Sequence, residues 1–344
     1  MKKLVSFIAL IVAVTLSLSA PLPASIALAT PYNELPYIDT RESAEHLDLK
    51  VKKQLTDELV QLVGKQNIQF TTIDKSFDPW VIDGTVDGNA HANFSQRYDA
   101  KNSRVVSTLV MYDGADLNKV MDNSLRLKLN AFLKTFEDED IFIKMFVERF
   151  KANDEDQGHL YQNYWVIVGP SQQLYIDVDN GNRMSASLQY KIEDSYAWLT
   201  DRARNSIKRL GIPTQKAFDY TLFAVEGKDM LWQYRDDDNL NYVHIGSKTG
   251  KVWRITNEFG TDWNNDADFK KSFAKPKLSK KKALSAAAPK VKSIFGLNLK
   301  GYSVRIQDNQ YTFTKKGATT LIGKINKKGA FYSFEAIPVN GIRN

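Results

Sequence analysis

Three segments of this chain share one plan, and that plan restricts the fold more than any other feature: an amphipathic stripe, a glycine, short alternating strands and a tight turn. The first stripe carries Val51, Leu55, Leu59 and Leu62 and stops at Gly64. Another carries Ile192, Tyr196, Leu199, Ala203, Ile207 and Leu210 and stops at Gly211. The last carries Leu284, Ala287, Val291 and Ile294 and stops at Gly296. Spacings of three and four put each set on one face of a helix. Glycine just past the last apolar residue ends a helix because it enters the left-handed region without a Cβ clash. Pro289, inside the last stripe, predicts a kink or a split there.

Alternating residues follow, such as Leu174, Ile176 and Val178, then Phe218, Tyr220, Leu222 and Ala224, and later Tyr302, Val304 and Ile306. That period of two marks strands. Turns are expected at Asp179-Asn180-Gly181-Asn182, Lys248-Thr249-Gly250-Lys251 and Lys327-Lys328-Gly329-Ala330, with a weaker one at Ala100-Lys101-Asn102-Ser103. From helix stop to turn the distance is 39 residues, 39 and 33. The segment between Ser103 and Gly181 is less regular. It predicts one helical stretch with Met121, Leu125, Leu129, Phe132 and Phe136 and a second with Phe142, Phe146 and Phe150, divided by acidic Glu137 to Asp140. These features predict an α+β protein of tandem repeats, each one helix packed on a small antiparallel β-sheet. The expected boundaries are 30–114, a modified unit at 115–190, 191–268, and 269–344 with a basic linker at its start.

The N-terminus reads as a secretory signal over residues 1–29. Lys2 and Lys3 precede an uncharged run from Leu4 to Leu18; Pro21 and Pro23 follow, then the small-x-small site Ala27-Leu28-Ala29. The run is shorter than the roughly 20 residues that span a bilayer, so no membrane span is expected after cleavage. A secreted or cell-wall-associated location follows. Cleavage after Ala29 would take the net charge from +7 to +5, because only Lys2 and Lys3 are lost. The chain has no cysteine, which excludes disulfides, thiolate metal sites, cysteine nucleophiles and a lipid-modified cysteine anchor. Stability must therefore come from core burial, for which 18 Phe, 15 Tyr and 6 Trp supply material.

Two stretches carry a family likeness. Leu278-Ser279-Lys280-Lys281-Lys282-Ala283-Leu284-Ser285-Ala286-Ala287 resembles the opening helix of a PepSY domain, and Val243 to Trp253, with Thr249-Gly250-Lys251 at its turn, resembles that family's closing hairpin. The resemblance implies a non-catalytic role in restraining peptidases or mediating contacts, and no catalytic residues to carry over. No peptidase domain follows in the chain, so inhibition would act in trans.

The residues themselves offer little chemistry. His46, His91, His159 and His244 lie far apart, with no His-Glu-x-x-His or His-x-His spacing. His244 alternates with Val243 and Ile245 and is expected to face solvent. Asp262, Asn264, Asp266 and Asp268 match the first half of a calcium loop, but Ala267 and Phe273 stand where the glycine and glutamate belong. No cofactor or metal is expected, nor an enzyme. Lys270, Lys271, Lys275, Lys277, Lys280, Lys281, Lys282, Lys290 and Lys292 fall in a stretch without an acidic residue. Such a patch suits an anionic cell-wall polymer or is a solvated linker and helix face. Trp80 and Trp263 sit in polar surroundings and either anchor a partner or pin their own core. The expected partner is an extracellular protein, a peptidase among the options, or the anionic polymer; nucleic acid is not expected.

Overall fold

The computed structural model describes residues 41–136, 145–153, 162–213 and 218–344. The expected signal segment, residues 1–29, lies outside them, as do Phe142 and the acidic run from Glu137 to Asp140. The chain divides into two compact units, 1–186 and 187–344.

In the first unit, eight strands pair in succession, all antiparallel: β1 (Glu42–Ser43), β2 (Asn67–Asp74), β3 (Trp80–Asp87), β4 (Ala92–Asp99), β5 (Arg104–Asp113), β6 (Phe146–Ala152), β7 (Asn163–Gly169) and β8 (Gln172–Asp177). Helix α1 (Leu49–Val63) starts at Asp48, whose Oδ1 accepts from the backbone N–H of Lys50 at 2.8 Å and of Val51 at 3.2 Å. This satisfies donors that the first turn leaves open. The helix ends at Gly64, at φ +78°. Leu55 and Leu59 are fully buried, and Leu55 packs with Ile73, Ile82, Tyr98 and Val105. Gln96, also fully buried, donates from Nε2 to the Leu55 carbonyl and to Thr108 Oγ1, both at 3.0 Å, fixing helix to sheet. Helices α2 (Leu117–Val120) and α3 (Asn123–Leu133) follow β5.

Strand β9 (Arg183–Lys191) spans the residues where one unit gives way to the other. The second unit holds α4 (Ala197–Arg209), β10 (Tyr220–Glu226), β11 (Asp229–Arg235), β12 (Asn241–Gly246), β13 (Val252–Asn257), α5 (Asp266–Phe273), α6 (Lys280–Phe295), β14 (Ser303–Gln307), β15 (Gln310–Thr314), β16 (Thr320–Ile325) and β17 (Phe331–Ile337). Its strands pair antiparallel in the order β10-β11-β12-β13-β17-β16-β15-β14. Leu199, Ala203 and Ile207 of α4 and Ala283, Ala287, Val291 and Ile294 of α6 enter one buried cluster with Tyr234, Val243, Ile255, Tyr311, Phe313 and Phe334 from the sheet. Helix α6 runs as one element past Pro289, which occupies an exposed position.

The expectation of successive small sheets, each under its own helix, is overturned. Helix followed by four strands does recur along the chain, but the sheets are continuous. Strand β5 pairs with β6 from Ser107↔Ala152 to Asp113↔Phe146. In the second unit β13 joins β17 through Arg254↔Glu335, Ile255↔Phe334 and Thr256↔Ser333. An isolated four-stranded sheet would leave two rows of unpaired backbone groups, and lateral joining removes them. The two helices of the second unit then share one core. Phe146 and Phe150, expected on a helix, lie on strand β6. A spacing of four satisfies both a period of two and a helical turn, and β6 is buried on both faces, so the apolar pattern could not separate them.

Among the described residues no helix is long and apolar enough to cross a membrane.

Candidate functional site

The lysine stretch is held to the second unit from beneath. Phe273 at the end of α5 is buried, and the Leu278 backbone both donates to and accepts from the Tyr311 hydroxyl, at 3.0 and 3.2 Å. Ser279 Oγ caps α6 by accepting from the Lys282 N–H at 3.3 Å. Ala283, Ala287, Val291 and Ile294 of α6 face the core and Leu284 and Phe295 pack against it, which leaves Lys280, Lys281, Lys282 and Lys292 on the outer face. Lys270, Lys271, Lys275, Lys277, Lys280, Lys281, Lys282 and Lys292 are exposed. Lys290 differs: it is half-buried, its Nζ donates to the Leu210 carbonyl, and burial pulls its pKa down. Among the described residues none of the nine takes part in an ion pair. From Phe269 to Gln307 the chain has no acidic residue.

The acidic loop beside this strip is occupied by structural bonds. Asp262 Oδ1 accepts from the Lys327 N–H at 2.7 Å, and Asn265 Oδ1 caps α5 through the Asp268 N–H at 2.9 Å. Asp268 accepts from the Asn264 N–H at 3.0 Å, from Lys327 Nζ at 3.1 Å and from the Ser272 hydroxyl at 3.2 Å. The Asn264 bond, followed by Lys327, lowers its pKa. Among the described residues no group of three or more histidine, aspartate or glutamate side chains is placed to hold a metal ion.

The two tryptophans have different surroundings. Trp263 packs edge-on to Phe269, Phe273 and Tyr332, with centroids 5.2, 5.7 and 5.9 Å away, and serves its own core. Trp80 in the first unit lines a cavity of about 460 Å³ whose apolar wall includes Leu47, Val51 and Ile73. At the rim, Lys75 Nζ lies 5.7 Å from the Trp80 ring and 2.8 Å from Glu42.

Glu148 and His244 are among the buried ionisable groups that escaped sequence reasoning. Glu148 on β6 is buried, and its Oε1 has no hydrogen-bond partner. His244 on β12, expected at the surface, is buried instead, because β12 is covered on both faces. Polarity at alternate positions was visible in the sequence; what covers that face was not. Comparison with family models, with curated proteins and with solved structures finds no match to the chain.

Proposed function

We propose that this chain is a non-catalytic binding protein that works outside the cytoplasmic membrane and holds an anionic surface polymer through the strip from Lys270 to Lys292. The observation that carries this reading is the set of eight exposed, unpaired lysines on an anchored helix-linker-helix. Unpaired surface charge keeps its full field for a ligand, and near an anionic surface each lysine contributes on the order of 1 kcal/mol. The attraction decays over about 8 Å at physiological salt. Sedimentation with polyanion-bearing cell walls tests the idea. Binding should weaken with added salt and fall sharply in the triple variant Lys280→Gln, Lys281→Gln, Lys282→Gln. Salt-independent binding that survives the triple variant would sink it.

A second reading, contact with an extracellular protein such as a peptidase, rests on β14. Both sides of β13 are taken by β12 and β17, and among the described residues β14 pairs with β15 alone. A strand in that position can accept a partner's strand. Inhibition of secreted peptidases, insensitive to moderate salt, would favour this reading over the first.

A further inference from the structure

On the second unit's sheet, alternation puts Val243, Ile245, Tyr234 and Ile255 toward the helices and Arg235, Tyr242, His244 and Arg254 on the opposite face. Arg254 stands directly opposite His244, and Arg235 directly opposite Tyr242. Facing pairs on one side of a sheet lie about 5 Å apart, and diagonal ones about 7–8 Å. The Tyr242 and His244 rings are 5.7 Å apart, and the Arg254 guanidinium sits 4.9 Å from the Tyr242 ring while donating to its hydroxyl at 2.8 Å. A register shift between His244 and Ile245 falls at this point, and such bulges re-aim side chains.

Arg254 has Glu335 directly opposite it and Glu258 within electrostatic reach, but Arg235 and His244 are under-satisfied. Arg235 is 8 % exposed; it donates to Gln233 Oε1 at 2.6 Å and Asn239 Oδ1 at 3.3 Å, but its Nε has no partner and no carboxylate pairs with it among the described residues. His244 is also 8 % exposed, and neither ring nitrogen has a hydrogen-bond partner. Burial, then Arg235, Arg254 and Arg343, holds its pKa well below the ordinary value. Arg343 itself is neutralised by Asp229 at 2.7 Å and Glu335 at 3.4 Å. A buried guanidinium without a counter-charge and a buried imidazole without a partner are each costly. Unsatisfied groups of this kind call for a specific explanation.

We propose that His244, Arg235 and Arg254 form a receptor for a small oxyanion, the phosphate or carboxylate group of a ligand. The free Arg235 Nε–H, a ring N–H of His244 and the remaining Arg254 N–H groups are its donors, and the anion supplies the carboxylate-like partner that Arg235 lacks. Charge-assisted bonds of this type are the stronger class. This site is separate from the lysine strip and does not depend on it.

The test uses the full chain with labelled histidine. Inorganic phosphate and, separately, acetate are titrated at constant ionic strength while the four histidine resonances are followed, with His244→Asn assigning its signal. A saturable response confined to His244, weakened about tenfold or more in Arg254→Gln, is the expected result, and the anion that elicits it identifies the ligand group. Position 254 is only half-buried, so that variant is suited to fold. The Lys280→Gln, Lys281→Gln, Lys282→Gln variant should keep the response, which separates this site from the polymer-binding reading. No response to either anion, or a response unchanged in Arg254→Gln, would overturn the assignment.

Discussion

Glu148 shows what one buried group does to the behaviour of the protein with pH. Desolvation pushes its pKa from 4.5 up to about 7, so the folded state binds a proton more tightly than the unfolded chain does. Stability contributed by the protonated form is present at pH 4.5 and lost as pH rises through about 7. The linkage is worth about 3 kcal/mol. Glu148→Gln, which keeps a neutral hydrogen-bonding group, should flatten stability between pH 5 and 7.5 (about the window of that shift), as read by urea denaturation. A parallel slope in wild type and variant would refute the assignment. Gly84 makes a steric prediction at the same scale. A Cβ there would meet the Gln69 carbonyl and the Phe94 ring, so Gly84→Ala should cost about 1–3 kcal/mol by overpacking. Neither site was legible beforehand. A glutamate between Val147 and Arg149, in a stretch expected to be helical, looks like any half-exposed position, and the glycine in β3 carries no turn signal, because both depend on what lies across the sheet.

Among the elements, helix ends and turns were the most readable. Gly64, Gly211 and Gly296 all have positive φ, and so do Gly181, Gly250 and Gly329 in the hairpins. These are local backbone requirements, so local sequence reports them. The joining of β13 to β17 was not readable, because a strand at an edge and a strand in the middle of a sheet use the same residues. That joining predicts a shared response. Phe334 faces Ile255 across it, stacks on Phe331 at 4.8 Å and meets the Phe295 edge at 6.3 Å. Phe334→Ala should destabilise by about 3–5 kcal/mol, and amides of β11 and β15 should lose hydrogen-exchange protection together. Loss confined to β14–β17 would mean that the two halves are energetically separate.

For the whole molecule the deciding question is whether net charge or its placement governs binding. The chain carries +7, and any three lysines changed to glutamine lower it equally. Lys50, Lys52 and Lys65 are exposed on or just after α1, far from the strip in sequence. Replacing them should leave wall binding near the wild-type value, whereas replacing Lys280, Lys281 and Lys282 should abolish most of it. Equal losses from the two triple variants would reduce the strip to a generic basic surface.

The β13–β17 pairing has a consequence of its own. Gly250 and Gly329, the two hairpin glycines, are 79 residues apart, and so are Ile255 and Phe334, which face each other at the centre of the seam. Corresponding positions therefore meet corresponding positions, as across a twofold axis. A peptide of half this length, ending in such a strand, would be complementary to itself and would be expected to form a homodimer through that edge.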